Sequence, residues 1–223
     1  TDQYPKCLVS AGGKTLLEHN LIKLKNAGVT SVVVNTHHLA DQVDAFIDDL
    51  DLDMDIHISK ESELLETGGG LLKAAHHFQD EKVFIVCNSD IYSDLDLSQL
   101  INTHVSNNNL ATLAVSDRKT SRYLRFNESN LLCGWENRTT GEEISWSDMA
   151  FHTLAFNGIQ VMSSKIFQYM IGFETAFSTI PVYLKAAEAG EKIEAFSIDK
   201  AFWIDIGSIE KLEELRQYLE ATP

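Results

Sequence analysis

The sequence predicts an α/β fold, a mostly parallel mixed sheet with helices on both faces. Short β-branched runs alternate with amphipathic, helix-length segments through the first half, and the same rhythm returns after residue 150. The 223 residues, 44% of them apolar, are enough for one substantial core, so a single domain spanning the chain is expected. The first helix is the amphipathic segment Leu16 to Ala27, followed by a strand at Ser31 to Asn35, a helix at Leu39 to Leu50 and a strand at Met54 to Ser59. Three consecutive glycines then open a helix at Leu71 to Phe78, before a strand at Val83 to Cys87, a helix at Leu97 to Val105 and a strand at Ala111 to Ser116. From Arg118 to Ala150 the sequence turns polar and Asn-rich, with strand candidates at Tyr123 to Phe126 and Leu131 to Trp135, and reads as a hairpin and loop excursion from the main sheet. Elements at Phe151 to Met162, Ser164 to Met170, Ile180 to Ala189, Ile193 to Ile198 and Trp203 to Ile206 restore the rhythm, and a Glu- and Leu-rich helix from Ile209 to Leu219 ends it.

Composition narrows the function. Eighteen basic against thirty-three acidic residues give a net charge of −15, which opposes non-specific attraction to nucleic acid and to anionic membranes. A metal ion can still supply positive charge locally for a phosphate ligand. Cys7, Cys87 and Cys133 are isolated and lack metal-type spacing, so they read as reduced thiols of a cytoplasmic protein. No apolar run approaches the roughly 20 residues that span a bilayer. The apolar stretch from Phe167 to Phe177 could serve a homo-oligomer interface or simply the core.

The residues that could carry chemistry fall at the ends of apolar runs. Leu65-Glu66-Thr67-Gly68-Gly69-Gly70 would let a ligand approach the backbone with no Cβ in the way, and free N–H groups at a helix start favour polar or anionic groups. Asp90 follows an apolar strand and Asp205 ends another, the edge at which open α/β sheets build their sites. Each aspartate alone is equally a cap or turn residue. As a pair they would suit Mg²⁺, which binds through one or two carboxylates plus phosphate oxygens. Lys6, after Pro5, could meet a phosphate as a point charge or stay solvated, and Asn157-Gly158 inside an apolar run marks either close ligand approach or a bulge. Asp51, Asp53 and Asp55 resemble the start of a calcium loop, but Ile56 stands where its turn needs Gly. The pairs His37-His38 and His76-His77 lack metal-ligand spacing, and no G-x-G-x-x-G run supports a dinucleotide site.

In this order, Pro5-Lys6, Leu8-Val9, Gly13-Lys14 to Glu18, Leu65 to Gly70, Asn88 to Asp90, Phe156-Asn157-Gly158-Ile159 and Trp203 to Gly207 resemble the sugar-1-phosphate nucleotidyltransferases over almost the whole chain. The glycine segment is most similar to that of N-acetylmuramate-1-phosphate uridylyltransferases. The resemblance implies a Rossmann-like sheet of the nucleotide-diphospho-sugar transferase type. It also implies Mg²⁺-dependent attack of a sugar 1-phosphate on the α-phosphorus of a nucleoside triphosphate, UTP favoured, with release of pyrophosphate. It makes Asp90 and Asp205 the metal-binding aspartates and Lys6 a phosphate-contacting catalytic lysine. Glu66, Thr67, Gly68 and Gly69 fall beside the nucleotide base, and Asn157 and Gly158 on the sugar side. Such chemistry needs positioning and charge neutralisation more than a covalent intermediate.

Family members open with a strand and a Gly-rich loop of the form L-x-A-G-x-G-x-R that cradles the triphosphate. The sequence in hand starts at Thr1 without it, and is expected to be a fragment of a longer chain. Cys7 and Ser10 replace prolines usual after the Pro-Lys motif, and Glu136-Asn137 is no clear match for the family's Glu-Lys pair. A non-catalytic paralogue that binds a nucleotide sugar is the rival reading, and mannose 1-phosphate with GTP is the alternative substrate pair.

Overall fold

The computed structural model describes residues 4–147 and 150–222, so Thr1 to Gln3, ahead of the Pro-Lys motif, and Asp148 and Met149 of the expected polar excursion lie outside the described residues. After a 3-10 turn at Lys6–Leu8 come β1 (Ser10–Ala11), β2 (Lys14–Thr15), α1 (Leu16–Asn26), β3 (Ser31–Thr36), α2 (Ala40–Asp48), β4 (Asp55–Lys60), α3 (Glu66–Lys73) and β5 (Val83–Cys87). They are followed by β6 (Ile91–Ser93), α4 (Leu97–Asn107), β7 (Ala111–Ser116), β8 (Arg122–Asn127), β9 (Leu132–Asn137) and β10 (Glu142–Ser145). The rest is β11 (Phe151–Ser163), a 3-10 helix at Ser164–Met170, α5 (Thr179–Glu188), β12 (Ile193–Ser197), β13 (Trp203–Asp205) and α6 (Ile209–Ala221). This is the expected α/β architecture with a mixed sheet. The helix expected at Leu71 begins instead at Glu66 and takes the glycines into its own turns.

By contacts the described residues gather into two compact units. The first is formed by residues 4–64, 87–97 and 201–222. In it, β3 and β4 pair in parallel from Ser31↔Asp55 to Thr36↔Lys60, joined through α2. β1 and β2 form a ribbon closed by Gly12 and Gly13, whose φ values of 60° and 80° belong to the left-handed region that glycine tolerates. α1 starts cleanly because Thr15 Oγ1 accepts the Glu18 N–H at 3.1 Å, satisfying a donor that the helix itself leaves unpaired. Its apolar positions serve two small cores. Leu17 and Leu21 pack with Leu8, Val34, Val43 and Ile47, while Leu16 packs with Ala11, Ile204, Ile206 and Leu215.

The second unit comprises residues 65–86 and 98–200 and holds a seven-stranded sheet ordered β10-β9-β8-β11-β7-β12, with β5 also on β11. β12 runs parallel to β7, whereas β7, β8, β9, β10 and β11 meet in antiparallel pairs. The long β11 explains how the polar stretch is accommodated. It pairs with β8 over Phe151–Leu154 and with β7 over Ala155–Met162, so the expected hairpin forms and lengthens the sheet instead of standing apart from it. The polar residues of the hairpin satisfy one another: Arg125 Nε reaches Glu136 at 2.8 Å and Glu143 through Nη2 at 2.7 Å, and Arg138 Nε reaches Glu136 at 2.6 Å. The core gathers Leu113, Val115, Phe126, Met162, Ile166 and Tyr183. Ile166, Met170 and Phe177 are buried in that core and Phe167 and Phe173 pack on it, which accounts for the apolar stretch seen in the sequence.

One buried titratable group gives this unit a pH dependence. His104, 2% exposed at the end of α4, has Nδ1 at 3.1 Å from Thr112 Oγ1, and burial lowers its pKa to about 4 despite the opposing charge of Glu194. The unfolded histidine, at its ordinary value of 6.5, binds a proton before the folded one does. Stability is therefore lost as pH falls from 6.5 to about 4 and not above that window. Thermal melts across pH 4 to 7 should show a declining melting temperature, and His104→Gln should flatten that slope; an unchanged slope in the variant would contradict the assignment.

Candidate functional site

In the first unit the ribbon of β6 and β13 brings the two candidate aspartates together. Asp205, the last residue of β13, stands opposite Ile91, and the Ile206 N–H donates to the Asp90 carbonyl at 2.8 Å. Asp90 thus immediately precedes β6 at the same end of the ribbon at which Asp205 leaves β13. The Asp205 carboxylate pairs with Lys211 of α6, a helix whose first turn is fixed by Ser208 Oγ accepting the Lys211 N–H at 3.4 Å. Among the described residues the Asp90 carboxylate makes no hydrogen bond or ion pair. Its charge acts on Cys7, whose thiol is raised mainly by burial and further by Asp90. Lys6 is exposed in the 3-10 turn beside Cys7.

Oxygen donors of this kind are the type that a hard cation such as Mg²⁺ takes. The backbone brings residues 90 and 205 to one end of the ribbon, and the Asp90 carboxylate has no hydrogen bond or ion pair among the described residues; no group of three acidic, histidine or cysteine side chains that could hold a metal occurs among them. A hard cation that keeps several positions for water and phosphate oxygens is the kind of ion two carboxylates suit. The three thiols are not activated as nucleophiles: Cys7, Cys87 and Cys133 are free, and burial raises all three, Cys87 to about 11. The far end of the ribbon is clamped by Asp94: Oδ1 accepts the Phe202 N–H at 2.8 Å and Oδ2 the Tyr218 hydroxyl at 2.5 Å, while the Phe202 and Tyr218 rings stack 3.7 Å apart.

The second unit carries the other candidates. Gly68 and Gly69 are buried inside α3, and both of their N–H groups donate to the Phe177 carbonyl, at 2.8 and 3.1 Å, while the Phe177 N–H returns a bond to the Leu65 carbonyl at 3.1 Å. The close backbone approach expected at these glycines is therefore made by the chain itself. A Cβ on Gly68 would lie 2.5 Å from the Phe177 ring, and one on Gly69 2.3 Å from the Thr175 carbonyl oxygen. Glu66 and Thr67 are exposed at the start of α3. Glu66 holds φ at 58°, a left-handed conformation uncommon for a residue with a side chain.

Asn157 and Gly158 lie in β11 where its register against β7 shifts, and Gly158 has φ of 75°, so this is a bulge that needs a glycine. Asn157 is 1% exposed. Its Nδ2 donates to Ser116 Oγ at 3.0 Å and its Oδ1 accepts from Arg118 Nε at 3.1 Å, while Arg118 Nη2 donates to the Phe156 carbonyl at 2.8 Å. Arg118 and Arg122 also border a cavity of about 180 Å³ lined by Tyr123, Trp135, Phe156 and Ile180. Neither Arg118 nor Lys211 stands out in the sequence. The one signal for Arg118 is a basic residue directly after the apolar run of β7, and for Lys211 its place in the first turn of a helix that follows an aspartate.

Comparison with known proteins adds to this geometry. The family model described as nucleotidyl transferase matches residues 1–126. A probable mannose-1-phosphate guanylyltransferase of Arabidopsis thaliana is 35% identical over 118 residues, 51% of this chain and 36% of that protein. The N-acetylmuramate alpha-1-phosphate uridylyltransferase of Neisseria meningitidis serogroup B is 35% identical over 105 residues, 46% of this chain and 45% of that protein. The chain therefore spans between about a third and a half of the curated relatives it matches. Among solved structures, a putative glucose-1-phosphate thymidylyltransferase from Bacillus anthracis, crystallised with a sucrose, superposes with a TM-score of 0.78 at 15% identity, covering 98% of this chain and 87% of that one, a likeness of fold. Among the described residues, no helix is long and apolar enough to cross a membrane.

Proposed function

The chain belongs to the nucleotidyl transferase family, and from that premise we propose that it transfers a nucleotidyl group from a nucleoside triphosphate to a sugar 1-phosphate with release of pyrophosphate. The observation that carries this reading is the meeting of Asp90 and Asp205 at one end of the β6–β13 ribbon. Asp90 and Asp205 would hold Mg²⁺, whose charge would offset that of the phosphates during transfer. Asp90 is available for this as it stands. Lys211 shares Asp205 and keeps its carboxylate at the ribbon's end. Lys6 presents an exposed ammonium to a phosphate oxygen, and the sugar phosphate needs no protein base because it is already ionised at neutral pH. Glu66 and Thr67 at the start of α3 are assigned to the base side, with Gly68 and Gly69 behind them fixing the helix against Phe177. The bulge of Asn157 and Gly158 is assigned to the sugar side, its amide oriented by Ser116 and Arg118.

UTP with a hexosamine 1-phosphate is the favoured pair, supported by the form of the glycine segment and by the Neisseria relative. GTP with mannose 1-phosphate is the second reading, because the Arabidopsis relative, equally identical over a longer stretch, carries that name. Pyrophosphate release measured with UTP and GTP against N-acetylmuramate 1-phosphate and mannose 1-phosphate separates them. The favoured reading predicts turnover for the first sugar with UTP. Turnover confined to GTP and mannose 1-phosphate would replace it, and nucleotide-sugar binding with no pyrophosphate from any pair, by a protein whose own N-terminus is Thr1, would point to the non-catalytic paralogue.

A further inference from the structure

Among the described residues, the strand that directly follows Asp90 has a strand neighbour on one side only. β6 pairs with β13 in a two-stranded sheet. In that ladder the Asp90 carbonyl and the Asp94 N–H both face β13, accepting from Ile206 at 2.8 Å and donating to Phe202 at 3.1 Å. The alternation of an antiparallel strand then turns the carbonyls of Ile91 and Ser93 to the opposite edge. Both residues are buried, at 3% and 4% exposure, so these carbonyls need donors from the protein. α1 supplies them. Asn20 Nδ2 donates to the Ile91 carbonyl at 3.0 Å, and Lys23 Nζ donates to the Ser93 carbonyl at 2.7 Å. Asn20 and Lys23 are three apart and share a helix face, where they are separated by about 4.5 Å along the axis, while alternate carbonyls of a strand repeat every ~6.7 Å. The longer lysine side chain takes up the difference.

We propose that Asn20 and Lys23 are positioning residues for the metal site: they pair the free edge of β6 as a neighbouring strand would, and so fix where Asp90 stands relative to Asp205. The inference rests on the reading of Asp90 and Asp205 as Mg²⁺ ligands. The choice of side chains supports it. A lysine is an expensive way to satisfy a carbonyl in a buried setting, and burial lowers Lys23 to about 8 even with the Asp94 carboxylate opposing the fall. Its ammonium gives the short, charge-assisted bond that a strand N–H would not. α1 is itself held in place by Leu16, Leu17 and Leu21 in the two cores and by His19 Nε2 at 2.9 Å from the Ala11 carbonyl, so the donors come from a fixed element.

Binding of Mn²⁺ alone, followed by the electron paramagnetic resonance signal of the free ion, tests this on the full chain. Asn20→Leu combined with Lys23→Met should weaken Mn²⁺ binding by about tenfold or more, the scale on which partners behind a metal ligand act, and Lys23→Arg alone should keep most of the affinity. Lys23→Met alone serves if the double variant does not fold. Val43→Ala, which removes core packing elsewhere in the same unit, should lower the melting temperature and leave Mn²⁺ affinity unchanged. The proposal is overturned if the edge variants bind Mn²⁺ within about twofold of the parent while Asp90→Asn loses binding, or if Val43→Ala weakens binding as much as they do. If Asp90→Asn and Asp205→Asn both bind Mn²⁺ normally, the metal reading itself falls and takes this inference with it.

Discussion

Gly69→Ala should destabilise the protein by about 2 kcal/mol net, an unusually large cost for a single methyl group. In an ordinary helix the change would help, since Ala is favoured over Gly by close to 1 kcal/mol. Here the new Cβ would stand 2.3 Å from the Thr175 carbonyl oxygen and 3.1 Å from the Leu65 Cβ. The first contact is with backbone, which cannot swing aside as a side chain tip could. The segment around Thr175 is also tied down, because the Phe177 carbonyl accepts both the Gly68 and the Gly69 N–H and the Phe177 N–H is bonded to Leu65. Relieving the overlap means pulling that segment off α3 and exposing two helix donors. Chemical denaturation of the variant beside the parent measures the loss. Equal or greater stability would mean that the approach of residues 175–177 to α3 is not rigid.

Asp90→Asn and Asp205→Asn should each lower Mg²⁺-dependent pyrophosphate release by at least about a hundredfold, as removal of a group that handles transition-state charge does elsewhere. Their effects on folding should be small, and for different reasons. The Asp90 carboxylate has no hydrogen bond or ion pair among the described residues, so neutralising it removes no contact, and the backbone carbonyl that pairs with Ile206 is untouched. Asp205 gives up its charge partnership with Lys211, but both side chains are 43% exposed, and pairs of that kind contribute about 0–1 kcal/mol. Activity and melting temperature should therefore separate. Loss of both together would place the aspartates among the residues that build the fold, and near-normal turnover in both variants would remove them from the site.

The long elements were legible because each carries a period or an apolar run that its burial requires. The helix at Leu16–Asn26 and the strands at Val83–Cys87 and Ala111–Ser116 lie at or within a residue of the bounds read from the sequence. Short pieces escaped for the same reason in reverse: β1, β2 and β6 span two or three residues, too few to show any period, and β10 is exposed along its whole length. The polar hairpin reads as an excursion from the sheet because its sequence is polar and Asn-rich. In the structure Arg125, Glu136, Arg138 and Glu143 neutralise one another, and Arg125 and Glu136 are buried by doing so. The glycine run reads as the opening of a helix that starts at Leu71, yet tight packing against Thr175 and Phe177 outweighs glycine's poor helix propensity and the helix begins at Glu66.

For the candidate site the sequence displayed the proposed ligands and hid their supports. Asp90 and Asp205 each end an apolar run, which is visible locally. Their proximity is not, because it arises from the pairing of β6 with β13 across more than half of the chain. Asn20 and Lys23 act through single long-range bonds and leave no pattern in the residues around them, while Arg118 and Lys211 leave only the faint local signals noted above.

The most direct test of the proposed metal site is anomalous diffraction from a crystal of this protein grown with Mn²⁺ in place of Mg²⁺. An anomalous peak bound by the carboxylates of Asp90 and Asp205 is the result this account predicts. A peak at other residues, or none at this end of the ribbon while Mn²⁺ supports turnover, would contradict it.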